Sequence, residues 1–205
     1  MSHHRLLPWV VSAALLSLLA CQPIRPVTDG ATMLPTSQIT VTPCRVTAGH
    51  RLGNAAIEPQ AVAARLELAA ATEPGDHLVI TGVVYAADCK TPLADAMLEL
   101  WQADAAGIYG DLAGTLRTDA AGRYELHTVK PGYYAGEANP PPLHIHLRID
   151  HPAAHGIETE LFFADDPLLD QANPDHQQLS VSLQAITTTD GAVWQGVFPI
   201  VLADK

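Results

Sequence analysis

From residue 76 onward, apolar and polar positions fall into short runs bounded by turn-forming residues, and the runs predict strands. Leu78, Val79, Ile80, Val83 and Val84 form a β-branched segment over 78–85 that ends in a turn around 88–92. Further strands are predicted over 96–101, 123–129, 143–149, 157–163, 179–183 and 193–202, while 110–114 and 132–139 read as loops. With no repeat and no long helical period, the pattern over residues 76–205 is that of an all-β sandwich or barrel. Ahead of it, the Ala-rich stretch 55–75 admits two readings. One is a short helix over 60–71; the other is an extended arm through Arg65, Leu66, Glu67 and Leu68. Residues 21–54, rich in Pro, Thr and small residues, read as a tether.

The segment over 143–149 alternates most strictly. Successive side chains on a strand point to opposite faces, so His144, His146 and Arg148 share one face while Ile145, Leu147 and Ile149 turn to the core. Two imidazoles two residues apart can ligate one metal ion, although most such pairs simply face solvent. The Asn-Pro-Pro-Pro run over 139–142 fixes the backbone that leads into the pair.

The first twenty residues follow another pattern. Arg5 precedes an apolar run over 6–20 that is too short for a comfortable bilayer span and ends in small residues. Leu18-Leu19-Ala20-Cys21 resembles a bacterial lipobox. That implies a signal peptide over 1–20, a lipid on Cys21 and a membrane-anchored place in the cell envelope. Gln22, being other than Asp, goes with outer-membrane delivery. The alternative is an ordinary signal peptide with a coincidental cysteine. Export to an oxidising compartment makes a Cys44–Cys89 disulfide the expectation, against two buried thiols, and the bridge would pin the N-terminal arm to the first strand of the domain. The net charge of −11 offers no basic face to a phosphate backbone and excludes nucleic acid as a partner.

Several ordered motifs together resemble the intradiol ring-cleaving dioxygenases. They are Gly82-Val83-Val84; Leu98-Glu99-Leu100-Trp101-Gln102-Ala103-Asp104-Ala105-Ala106-Gly107-Ile108-Tyr109; Thr128-Val129-Lys130-Pro131-Gly132-Tyr133-Tyr134; His144-Ile145-His146-Leu147; and Thr159-Glu160-Leu161-Phe162-Phe163. The resemblance covers roughly residues 76–165. It implies an antiparallel β-sandwich of the intradiol type with long loops and little helix, and a non-haem Fe(III) held by Tyr109, Tyr134, His144 and His146. A trivalent cation can hold phenolates whose free pKa is about 10 at neutral pH, and hard oxygen donors suit the ferric state.

The implied reaction takes a small aromatic diol and O2. Tyr134 gives way to the diol and acts as a base, and the ring opens between its hydroxyl-bearing carbons to a muconate-type diacid. The motifs depart from the family pattern at two places: Pro141 stands for its Arg and Glu160 for its Gln, polar residues that would support charge on the substrate. Arg148, given a catalytic supporting role on this reading, is expected to pair with Glu160 in their stead, against a surface ion pair of little consequence. The alternative function is an iron-binding lipoprotein that binds phenolic or catecholate compounds with little turnover.

Overall fold

Alternate burial along the strands sorts them into two facing sheets. The computed structural model describes residues 39, 41–53, 57–58, 62–188 and 191–205; the expected signal peptide, Cys21 and Gln22 lie outside the described residues. In chain order the elements are β1 (His50–Arg51), β2 (Arg65–Glu67), β3 (His77–Tyr85), β4 (Met97–Ala103), β5 (Tyr109–Arg117), β6 (Arg123–Val129), β7 (His144–His151), β8 (Ala154–Phe163), α1 (Pro174–Leu179), β9 (Ser180–Val181), β10 (Gln184–Thr188), β11 (Gly191–Val197) and β12 (Ile200–Val201). One sheet runs β1-β8-β7-β4-β5 with β9 beside β8; the other runs β10-β11-β3-β6-β2 with β12 beside β3. Leu98, Leu100, Leu116, Ile145, Leu147 and Ile149 from the first meet Leu78, Ile80 and Leu126 from the second in one core. Each such side chain contributes roughly 1.5–3 kcal/mol when fully buried. The two isoleucines and the leucine expected to turn inward from the His-x-His strand, Ile145, Ile149 and Leu147, do so.

Three features depart from the expected pattern. The stretch 110–114, read as a loop, is the first half of β5. Its Gly110, Asp111 and Gly114 form strands poorly, but β5 is a sheet edge held by its ladder to β4, so few of its side chains need burial. The region 193–202 is two strands, because Pro199 lacks an N–H and breaks the ladder; β11 pairs with the start of β3 and β12 with its end. The sandwich is also not purely antiparallel: β2–β6, β3–β11, β3–β12 and β8–β9 are parallel, since those partners arrive by crossovers instead of hairpins. The undecided arm is extended, as β2. The predicted strand 179–183 contracts to β9, preceded by the short helix α1, which Asn173 caps by accepting from Asp175 N at 2.9 Å.

The described part of the expected tether is packed on the domain. Ile39 joins Val83, Tyr85 and Val201 in a small second core, and Tyr85 Oη donates to Ile39 O at 2.9 Å. Cys44 and Cys89 are disulfide-bonded, Cys89 lying in the turn that follows β3. Thr47 N donates to Val201 O at 2.9 Å, and Val201 N to Thr47 Oγ1 at 2.8 Å. Arg45 reaches α1, donating to Pro174 O at 3.0 Å and Gln178 Oε1 at 2.8 Å. Among the described residues no helix is long and apolar enough to cross a membrane.

Candidate metal centre

Three separate segments deliver four donor atoms to one point. Tyr109 opens β5, Tyr134 lies in the loop after β6, and His144 and His146 stand on the outward face of β7. Tyr109 Oη is 2.6 Å from Tyr134 Oη and 2.8 Å from His146 Nε2. Tyr134 Oη is 2.6 Å from His144 Nε2 and 3.5 Å from His146 Nε2, and the two Nε2 atoms are 3.1 Å apart. Ligand atoms about 2 Å from a common first-row ion lie about 2.8–3.3 Å from one another, so the quartet has the spacing of a coordination shell. His144 is 7% exposed and Tyr109 48%, so the centre is closed at one imidazole and open beside one phenol.

Two glycines permit the tyrosines to meet. Gly107 has φ +78°, and a Cβ there would lie 1.8 Å from Tyr133 O. A Cβ on Gly132 would lie 2.4 Å from Ala105 O. With both side chains absent, the turn before β5 docks on the loop after β6 through Gly132 N to Asp104 O at 2.8 Å and Ala135 N to Gly107 O at 3.0 Å. Asp104 Oδ1 stiffens that turn by accepting from Ala106 N and Ile108 N, each at 2.9 Å. Behind it, buried Gln102 ties the sheets together: Nε2 donates to Val129 O at 2.9 Å and Oε1 accepts from Thr128 Oγ1 at 2.9 Å.

The imidazoles are aimed from outside the quartet. A carbonyl can only accept, so His144 Nδ1 donates to Pro142 O at 2.6 Å and leaves the Nε2 lone pair free to point at the centre. His146 lies directly across from Trp101 on β4 and Glu160 on β8. The Trp101 ring stacks on it at 4.9 Å between centroids and 7° between planes, and Glu160 Oε1 is 3.8 Å from its Nδ1 and 4.0 Å from His144 Nε2. Beside this stack, a groove of about 360 Å³ runs along β4 and β5, lined by Glu99, Leu100, Trp101, Ala113, Gly114 and Thr115.

Arg148 takes different partners from the one expected: Nη1 donates to Glu99 Oε2 at 2.8 Å, and Nε is 3.8 Å from Glu158 Oε2. Glu158 is the residue directly opposite Arg148 on β8, whereas Glu160 is opposite His146 and turns to the histidines. Pro141 is exposed.

The protonation states suit a cation. Burial, then the neighbouring His144, lowers the pKa of His146 and keeps it a neutral ligand. Burial, the Tyr109 hydroxyl and the negative charges of Glu160 and Glu137 all raise the pKa of Tyr134. A phenol so placed gives up its proton only to a strong positive charge, which a trivalent ion provides. Two phenol oxygens and two imidazole nitrogens therefore fit a ferric ion, and the residues present accommodate the group that the sequence implied. Sequence reading named the four side chains that converge and missed what positions them: Asp104, the two glycines, Trp101, and Asp166, whose buried carboxylate accepts from Tyr133 Oη and Leu143 N. An Asp followed by Gly three residues later was the available signal for the Asp104 turn; Asp166 carried none.

The family model Dioxygenase_C, described as dioxygenase, matches residues 53–203. The chain is 31% identical over 121 residues to catechol 1,2-dioxygenase 2 of Acinetobacter lwoffii, covering 48% of this chain and 44% of that one. To the protocatechuate 3,4-dioxygenase beta chain of Burkholderia cepacia it is 35% identical over 114 residues, covering 46% and 48%. It thus spans about half the length of the curated relatives it matches. Among solved structures, 3-chlorocatechol 1,2-dioxygenase from Rhodococcus opacus superposes with a TM-score of 0.62 at 26% identity, covering 77% of this chain and 73% of that one.

Proposed function

We propose, for a chain that belongs to the intradiol ring-cleavage dioxygenase family, that it cleaves a catecholic aromatic with O2 to a muconate-type diacid at a non-haem Fe(III) centre. The observation that carries the proposal is the convergence of Tyr109 Oη, Tyr134 Oη, His144 Nε2 and His146 Nε2, with neighbouring donors between 2.6 and 3.5 Å apart. Bound by these four atoms, a ferric ion would supply the Lewis acidity and one-electron chemistry that let a catecholate react with O2. Tyr134 Oη is the atom assigned to take up a proton from the diol: burial and the carboxylates of Glu160 and Glu137 give it a high proton affinity, which makes its phenolate a strong base. His144 is held in one tautomer by Pro142 O, and Trp101 covers one face of His146 and keeps water from it. The diol enters from the side of Tyr109, where the centre is open. Both atoms of O2 end in the diacid, so no external electron donor is consumed. Oxygen uptake by the iron-loaded protein with a series of catechols tests the reading; one O2 consumed per diacid formed supports it, and no uptake with any of them refutes it.

The same proposal places the protein in the cell envelope, anchored by lipid on Cys21. Its support is the lipobox-like Leu18-Leu19-Ala20-Cys21 together with the Cys44–Cys89 bridge, because disulfides persist in oxidising compartments. A Cys21→Ser chain recovered in the soluble fraction in place of the membrane fraction is the expected result; equal partition of both chains contradicts it.

A further inference from the structure

We infer that Glu160, half-exposed beside the two histidines of the centre, selects catechols whose ring substituent is cationic over those whose substituent is a carboxylate. The inference rests on the proposed diol chemistry and names the substrate class of that centre. It follows from where the groove starts. Trp101 is both a wall of the groove and the ring stacked on His146, so the groove begins at the ring that covers one ligand of the centre. A diol held at the four donors has its ring edge beside that wall, and a substituent on the ring extends into the groove. The groove is apolar at the flank of Trp101 and at Ala113, with one carboxylate in its wall and a second beside the histidines. Glu160 stands at the centre, 3.8 Å from His146 Nδ1 and 42% exposed. Glu99 stands in the groove wall. The negative charge of Glu137 also reaches Tyr134.

The charge facing this surface from the neighbouring strands does not cancel that set. Arg148, opposite Glu99 on β7, is shared between Glu99 at 2.8 Å and Glu158 at 3.8 Å. A carboxylate on the substrate would therefore enter a field of its own sign, while an ammonium would find Glu160 and Glu99 on either side of an aromatic wall, an arrangement that also suits cation–π contact with Trp101. Sequence identity does not choose between these classes, because the relatives named for catechol and for protocatechuate match at 31% and 35%.

The test uses the iron-loaded full chain, with three catecholic probes: catechol, 4-(2-aminoethyl)catechol and 3,4-dihydroxybenzoate. Dissociation constants are read without oxygen from the change in the visible absorption band, and kcat/KM from oxygen uptake. The aminoethyl probe should bind at least about tenfold more tightly than the benzoate, the size expected for one or two partly solvated charges. Glu160→Gln, close to isosteric, should shrink that ratio several-fold, with each affinity read relative to that of unsubstituted catechol for the same variant. Tighter binding of the benzoate than of the aminoethyl probe, or a ratio unmoved by Glu160→Gln, overturns the inference and leaves the diol chemistry standing. Failure of all three probes to bind overturns the diol chemistry itself, and the inference with it.

Discussion

The Tyr133 hydroxyl donates to Asp166 Oδ1 at 2.5 Å, and the other oxygen of that buried carboxylate accepts from Leu143 N at 2.5 Å. One side chain from the segment after β8 thus fastens the residue before Tyr134 to the residue before His144. Leu168 N adds a third donor at 2.9 Å. Burial and Asp166 push the Tyr133 hydroxyl up to about 12, so it remains a donor throughout the neutral range.

Replacing Asp166 by Ala leaves Tyr133 Oη and Leu143 N without acceptors, while Leu168 N, on an exposed residue, can turn to water. The cost expected from chemical denaturation is about 2–4 kcal/mol for two such groups. Because the same contact spaces Tyr134 from His144, iron affinity measured by competition with a chelator should fall about 10–100-fold, the usual penalty for losing an outer partner of a metal ligand. Asp166→Asn, which keeps one acceptor oxygen, should lose less of both.

How much of this could be read from the chain follows the range of the interactions. His144 and His146 are legible because alternation on a single strand is local, and the inward Ile145, Leu147 and Ile149 follow from the same rule. Tyr109 and Tyr134 carry no local mark. They emerge from the order of motifs alone, because what joins them is the docking of two turns through Gly107 and Gly132, a contact between segments distant in sequence. Edge strand β5 is hidden by its glycines and exposed polar residues, since an edge needs backbone pairing more than apolar side chains. Asp166 is an ordinary acidic residue in a loop until the fold buries it. Arg148 shows the limit of the face rule: it places Arg148, Glu158 and Glu160 on one surface but does not fix the register that sets Glu158 opposite Arg148.

A second carboxylate gives the domain a pH dependence away from the metal centre. Glu125 on β6 is hydrogen-bonded to His127, and Arg65 of β2 lies 3.4 Å away. The His127 bond first, then the positive charges of His127 and Arg65, hold its carboxyl below the ordinary 4.5. A group whose pKa is depressed by folding stabilises the fold above its unfolded value, and that contribution disappears as pH falls through the depressed value. Urea midpoints should therefore drop as the pH is lowered past about 4.5, and Glu125→Gln should flatten the drop. Parallel profiles for the two proteins contradict the assignment.

The Cys44–Cys89 bridge closes a loop across 45 residues. Its removal by Cys44→Ser with Cys89→Ser should cost about 2–4 kcal/mol, read as a lower denaturation midpoint that no longer responds to reductant. Neither cysteine is among the four converging side chains, so iron uptake per folded chain should be unchanged.

Metal analysis together with the visible spectrum decides the central claim, that two phenols and two imidazoles grip one ferric ion. The purified domain should take up one iron per chain and turn red-brown from tyrosinate-to-iron charge transfer. His144→Ala should abolish uptake, and Tyr109→Phe should shift or weaken the band. A colourless protein that refuses iron, or a band indifferent to both substitutions, would contradict it.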